Sequence, residues 1–133
     1  MRKELEQRIV DRWPAWFDVE GDTRTTLMRF GFAHDDGWFD IVWRLCEQLE
    51  PLVADAEKET GTQFQILQVK NKFGGLRFYP KFSSVAISVI IDAAELESFL
   101  ICEICGKAGI RRGTTWITTR CDEHSEAKQE KLL

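Results

Sequence analysis

The sequence lacks the features of membrane and secreted proteins. No apolar run approaches the roughly 18 residues that a transmembrane helix needs. The N-terminal residues Met1–Glu6 include two basic and two acidic side chains, unlike a signal peptide. We therefore expect a soluble, intracellular protein that does not bind membranes.

Catalytic motifs are missing as well. The chain has no nucleophile elbow, no phosphate-binding glycine loop and no His-Glu-x-x-His pair. His34 precedes Asp35 and Asp36, so it could serve as a general base or in a second metal site. The same residues precede a predicted helix, where either carboxylate would act as N-cap. We favour capping and expect no enzyme; a hydrolase centred on His34 ranks third among the functions considered.

Cysteine is scarce, and most of it falls in one pattern. Three of the four cysteines form two ligand pairs with a histidine, Cys102-x-x-Cys105 and Cys121-x-x-His124. Three thiolates and one imidazole complete the tetrahedral shell of Zn²⁺ and leave no position for water, so we predict a structural zinc. A disulfide would leave the second pair unexplained. The fourth cysteine, Cys46, is predicted to be a small buried hydrophobe.

The residues around the ligands indicate a small module that folds on its metal. Gly106 suits the left-handed turn of a zinc knuckle. Residues 109–120 are typical of a short hairpin, and the polar residues 125–131 can form a helix. We predict a treble-clef-like module over 101–133, with a zinc ribbon as the alternative, whose folding and metal binding are one event.

Residues 1–100 predict a helix-rich α+β domain. Helices are expected at 3–12, at 23–30 and over about 37–59, where Pro51 should kink or split the chain. A hairpin is expected at about 63–80, and the aromatic residues Trp13, Trp16 and Phe17 should pack on the core.

The segment after the hairpin is ambiguous. Ser83 or Ser84 could cap a helix that runs to about Leu100. Its apolar face would be formed by five residues: Val85, Val89, Ala93, Leu96 and Leu100. Because 85–91 is rich in β-branched residues, a strand is the competing interpretation.

Positive charge is concentrated in the middle of the chain. Residues 1–69 hold 8 Lys and Arg against 14 Asp and Glu, whereas residues 70–121 hold 8 against 4. The candidate binding residues lie in the hairpin and the module: Lys70, Lys72, Phe73, Arg77, Tyr79, Arg111 and Arg112. Aromatics interleaved with cations can stack on bases and contact phosphates. The alternative is that the aromatics anchor the hairpin on the core. One joint basic face would form if the module folds back on the hairpin.

Several of these strings together resemble a family of small phage and prophage proteins of unknown function. The resemblance rests on Asp36-Gly37-Trp38-Phe39, on Lys72-Phe73-Gly74-Gly75-Leu76-Arg77-Phe78-Tyr79, and on the Cys pairs with Trp116 before Cys121. It covers about residues 31–124. It implies the context of a mobile-element accessory gene expressed in a bacterial cytoplasm, and no activity.

The sequence therefore predicts a non-enzymatic, zinc-stabilised phage protein that binds a host macromolecule. A host protein or a protein–nucleic acid complex is the expected partner, and inhibition of a host defence system is the sharper form of this hypothesis. The alternative is a nucleic-acid-binding module that uses the basic aromatic hairpin.

Overall fold

The computed structural model describes residues 1–125, in which α-helices alternate with two small β-sheets, as predicted for an α+β protein. The helices and strands are α1 (Lys3–Arg12), β1 (Phe32–Ala33), α2 (Phe39–Thr60), β2 (Ile66–Lys72), β3 (Gly75–Pro80), α3 (Val85–Ser98), β4 (Ile110–Arg112) and β5 (Thr118–Arg120). Single turns of 3-10 helix occupy Met28–Phe30, Asp36–Trp38 and Asp122–His124. None of the helices in this part of the chain is long and apolar enough to cross a bilayer. The helix predicted after Ser125 lies outside the described residues.

The larger sheet has β2 at its centre, with β1 parallel on one side and β3 antiparallel on the other. Cross-strand partners share a face, so Phe32, Val69 and Phe78 all point into the core, where they are buried. The predicted aromatic cluster Trp13, Trp16 and Phe17 is buried too. The hairpin at 63–80 is confirmed.

Helix α2 supplies much of the core. Its inward face is the one that the periodicity predicts, and Cys46 on that face is fully buried, as expected. Of the two effects predicted at Pro51, a kink or a split, the split is wrong, because α2 continues through Pro51 to Thr60. The missing N–H of Pro51 therefore leaves one helix hydrogen bond unmade without ending the helix.

Two predictions for the segments before α2 are only partly met. Asp35 takes the N-cap position of the turn Asp36–Trp38, but its side chain makes no capping hydrogen bond. The Asp36 carboxylate instead accepts a hydrogen bond from the backbone of Arg2 and pairs with the Arg2 side chain at 2.7 Å. The helix expected over 23–30 is reduced to the turn Met28–Phe30.

Helix α3 confirms one prediction and overturns another. It is a helix from Val85 onward, and the Ser84 hydroxyl accepts from the Ile87 N–H at its start. The face that packs on the core is nevertheless the opposite of the predicted one: Ile87, Ala94 and Ser98 are buried. Val85, Val89, Leu96 and Leu100 are exposed. The helix is apolar on both sides, so periodicity alone selects the wrong face.

The hairpin turn carries a bulky residue in an unusual conformation. Phe73 and Gly74, between β2 and β3, have φ of +55° and +82°. This pair suits the tight turn of a two-residue hairpin, but the left-handed conformation is costly for a side chain such as Phe. The Phe73 residue remains mostly in solvent, since 60 % of it is exposed.

Candidate metal centre and the surfaces around it

The four predicted ligands come together as expected. Their ligand atoms all lie within 4.8 Å of one another. The Cys105 and Cys121 sulfurs are 3.7 Å apart, and His124 Nδ1 lies 3.2 Å from the Cys121 sulfur and 3.8 Å from that of Cys102. A tetrahedral ion with bonds of about 2.3 Å separates its sulfurs by about 3.8 Å. The cluster could therefore hold a metal ion.

A disulfide does not account for these cysteines. All four cysteines are free, and the 3.7 Å between the sulfurs of Cys105 and Cys121 far exceeds the roughly 2.05 Å of a disulfide bond. The approach of the second ligand pair to the first is what a shared metal ion would require. The chemistry of the donor set, three thiols and one imidazole, matches what Zn²⁺ prefers in closed sites.

The local backbone favours the thiolate form of Cys102. Burial acts to raise the pKa of this thiol, but backbone N–H groups of Cys121, Cys105 and Ile104 donate to its sulfur and lower the pKa to about 6. The turn that aims these groups closes at Gly106, which has φ of +78° and donates to the Cys102 carbonyl. The lowered pKa of Cys102 and the glycine turn at Gly106 are both expected of a zinc knuckle that holds a metal ion.

The segment 101–125, here called the metal module, has almost no apolar core. Its buried residues are Cys102, Glu103, Thr118, Thr119 and Ser125, none of them a large hydrophobe. The main body, residues 1–98, buries the large aliphatic and aromatic residues of the chain. The metal module must therefore be held by its ligands and by its contacts with the main body.

Glu103, between the ligands Cys102 and Cys105, is the centre of those contacts. Its carboxylate accepts from the Asp35 N–H at 3.0 Å and from the Asn71 side chain at 2.7 Å. Its backbone carbonyl accepts from Gly37 and its N–H donates to Thr119. Burial raises the pKa of this carboxyl, while the Asp35 N–H acts in the opposite direction. The sequence analysis assigned no role to Glu103, although its position between two predicted zinc ligands was an available signal.

The sequence segments on which the resemblance to phage proteins rests supply further contacts between the main body and the metal module. A Cβ on Gly37 would lie 2.1 Å from the Cys102 carbonyl oxygen, so only glycine allows this approach. The indole of buried Trp38 donates to the Ile101 carbonyl at 2.9 Å. At the hairpin turn, the Thr119 hydroxyl donates to the Gly74 carbonyl. These segments therefore have a structural role, which is to hold the metal module against the main body.

The hairpin and the metal module form one continuous surface, as the sequence suggested they would if the module folds back. The Arg111 side chain donates to the Phe73 carbonyl at 2.9 Å, and its guanidinium lies 4.7 Å from the centre of the Phe99 ring. The exposed ring of Phe73 and the exposed indole of Trp116 line the same cavity.

Several predicted binding residues are engaged within the protein. Arg77 pairs with Glu95 at 3.3 Å, and Arg112 pairs with Asp122 at 2.7 Å. Tyr79 is half-buried, as is Lys70, which lies opposite Arg77 in the sheet. Lys72 is exposed beside Phe73. The positive charge of this surface is therefore smaller than the sequence count indicates.

The sequence analysis missed an exposed apolar surface, here called the α3 face. It consists of Val85, Val89, Leu96, Leu100 and Ile110, whose side chains are between 58 % and 84 % exposed. The first four follow the helical spacing of α3, and Ile110 follows Gly109, whose N–H bonds to the Leu100 carbonyl. Isolated exposed hydrophobes are common, whereas contiguous exposed apolar patches are characteristic of interaction surfaces.

His34 is buried rather than placed in an exposed acid–base site. Only 5 % of it is exposed, and its Nδ1 bonds to the Asp35 carbonyl at 2.8 Å. Burial lowers the pKa of His34 to about 4, so the ring is neutral near pH 7. Its Nε2 has no hydrogen-bond partner within the described residues.

Comparison with known proteins adds no family to these observations. No protein-family model, no curated protein and no solved structure matches the chain.

Proposed function

We propose that this chain is a non-enzymatic protein-binding module, stabilised by a structural zinc ion, which docks a host protein through the α3 face. The observation that carries the proposal is the row of exposed large aliphatic side chains that runs along α3 and continues through Leu100 to Ile110. Exposing them to water is unfavourable, and covering them with a partner removes that cost. The zinc ion would hold the metal module, and with it Ile110, at the end of this row.

The charges beside the row define the chemistry of the partner. Helix α3 carries Asp92, Glu95 and Glu97 and no basic residue. Glu95 and Glu97 are paired with Arg77 and Arg44 of the main body, whereas Asp92 forms no ion pair within residues 1–125. The expected partner therefore presents an apolar ridge bordered by Lys or Arg. The resemblance to phage proteins favours a host protein, including one of a defence system.

The direct test compares matched variants in partner capture. Val89→Asp with Leu96→Asp places two charges on the α3 face, and both positions are exposed, so the fold should persist. Phe30→Asp is the control, because Phe30 is equally exposed but lies on the turn before β1. Tagged wild-type protein and the control should capture the same host protein from a bacterial lysate, and the double variant should not.

Two outcomes would contradict this proposal. Capture that is unchanged in the double variant would place the interaction elsewhere. A dimer in sedimentation experiments that dissociates in the double variant, with no captured partner, would mean that a second copy of this chain covers the α3 face.

A second candidate function, the binding of single-stranded nucleic acid, is favoured by the surface that joins the hairpin to the metal module. Phe73 and Trp116 offer exposed rings for stacking, with Lys72 and Arg111 nearby. Binding of a mixed-sequence strand should then weaken steeply with salt and be reduced by Lys72→Ala. Arg77→Ala should have a smaller effect, since Arg77 is paired with Glu95.

A further inference from the structure

The cysteine ligands of the candidate metal centre differ in their access to solvent. Cys102 is fully buried, and backbone N–H groups of Ile104, Cys105 and Cys121 donate to its sulfur. Cys121 is half-buried, whereas Cys105 is exposed. Because an oxidant must reach the sulfur that it attacks, Cys105 is the ligand open to oxidation and Cys102 is protected from it.

The exposed cysteine has a second thiol within reach. The sulfurs of Cys105 and Cys121 are 3.7 Å apart, so a movement of roughly 2 Å would bring them to the distance of a disulfide bond. Neither residue lies in a helix or a strand. Cys105 precedes the left-handed Gly106, and Cys121 precedes a single turn of 3-10 helix. The movement therefore breaks no regular secondary structure.

We propose that Cys105 and Cys121 form a reversible redox switch, in which a peroxide converts the two ligands to a disulfide and thereby releases the metal ion and the metal module. The proposal rests on the zinc site of the proposed function, and it does not depend on the partner of the α3 face. It assigns the disulfide to the two accessible ligands, which come from different ligand pairs, and leaves Cys102 reduced.

The peroxide is the only co-reactant that the step requires. The Cys105 thiolate attacks one peroxide oxygen, the O–O bond breaks, and the products are a sulfenic acid and hydroxide. The Cys121 thiolate then attacks the sulfenic sulfur, so that the S–S bond forms, the S–O bond breaks and a second hydroxide leaves. Each sulfur gives up one electron and the peroxide takes up two. The charge of the metal ion does not change.

The loss of two ligands should open the metal module. Only Cys102 and His124 would remain, whereas a structural zinc site uses four ligands. The module buries no large hydrophobe that could hold it together without the ion. Ile110 would then leave the end of the α3 face, and Arg111 would lose its bond to the Phe73 carbonyl. Oxidation would thus disrupt both candidate binding surfaces.

The test exposes the full, reduced and zinc-loaded chain to hydrogen peroxide. A chromophoric chelator too weak to remove zinc by itself reports the release of zinc, and mass spectrometry of a non-reduced digest maps the disulfide. We expect the Cys105–Cys121 disulfide to form in step with zinc release. The NMR signal of the Trp38 indole N–H, which donates to the Ile101 carbonyl, should shift as the module undocks. A thiol reductant with added zinc should restore the starting state.

Matched variants separate the reactive pair from the loss of a ligand. Cys105→His and Cys121→His each keep four ligands, in the two-cysteine, two-histidine combination that zinc also accepts, but each lacks one thiol of the pair. Both should keep their zinc at the peroxide dose that empties the wild type. Cys46→Ala removes the buried thiol of the main body and should respond as the wild type does. If the histidine variants bind no zinc, the disulfide map of the wild type decides.

Three results would overturn the proposal: zinc retained in peroxide, zinc released without a Cys105–Cys121 disulfide, or a disulfide that joins Cys102 to Cys105. Zinc-loaded histidine variants that release zinc as fast as the wild type would overturn it too. A reduced chain that takes up no zinc would contradict the zinc site itself, and the switch with it. Val89→Asp with Leu96→Asp should respond to peroxide as the wild type does, so failure of the switch and failure of α3 docking are distinguishable.

Discussion

The main body and the metal module are held together by different forces. The main body buries a continuous set of large side chains, among them Trp38, Leu45 and Phe64. The metal module buries polar residues and Cys102, and its order rests on four ligands and on hydrogen bonds to the main body. The first kind of stability scales with buried apolar area and the second with a few specific bonds. Loss of a single ligand should therefore affect the two regions very differently.

The largest effect is expected from removal of one metal ligand. Cys105→Ser should abolish tight zinc binding and unfold the metal module, because zinc contributes about 10–16 kcal/mol to small modules of this type. The helices of the main body should remain. Metal analysis and circular dichroism measure the two consequences. Cys46→Ala is the matched control: it removes the buried thiol of the main body and should keep the zinc ion.

Acid should weaken the main body through His34. Its pKa is lowered from 6.5 to about 4 in the fold, so between these values the unfolded chain takes up a proton that the folded chain does not. The free energy of unfolding should be fully retained above about pH 6.5 and fall towards pH 4, by about 3 kcal/mol in all.

Protons also compete with a metal ion for its ligands in acid, so the informative quantity is the difference in pH dependence between two proteins that share the metal module. His34→Asn can still donate to the Asp35 carbonyl but does not titrate. Denaturant unfolding at several pH values should show a steeper loss in the wild type than in this variant. Parallel curves would mean that His34 does not carry this dependence.

A smaller effect is expected where the two regions meet. Gly37→Ala places a Cβ against backbone atoms of Cys102 and Glu103, which cannot move aside without displacing the knuckle. We expect a loss of about 1–3 kcal/mol and weaker zinc binding, measured by denaturant unfolding and by competition with a chelator. Gly61→Ala is the control, since Gly61 has a positive φ but no atom within 4 Å of the added Cβ. It should lower stability without changing zinc affinity.

The smallest effect measures one hydrogen bond of the junction. Glu103→Gln and Asn71→Asp each break the pairing between these side chains, whereas the double variant restores it with donor and acceptor exchanged. In the double variant, the new carboxylate at position 71 would still accept from Gly74, and the new amide oxygen at position 103 would still accept from Asp35. A double-mutant cycle should give a favourable coupling of about 1 kcal/mol. A coupling near zero would show that this pair does not hold the module.

Sequence reasoning worked where local chemistry decides the structure. The ligand spacing, the hairpin and the serine cap each depend on a few neighbouring residues, and each is found; of the two predicted cap residues, Ser83 and Ser84, the cap is Ser84. It predicted the helix α3 but chose the wrong side of it as the core-facing side, because two apolar sides can be distinguished only by tertiary packing. It also missed the role of Glu103, because the partners of that carboxylate, Asp35 and Asn71, are distant in sequence.

Hydrogen exchange before and after zinc removal tests the difference between the two regions most directly. On addition of a chelator, amides of residues 101–125 should lose protection, together with those of Asp35 and Gly37 that donate to Glu103. Amides in α2 and at the β2–β3 pairing should keep theirs. Loss of protection throughout the main body, or no loss in 101–125, would contradict the account that metal and junction bonds hold the module while apolar packing holds the rest.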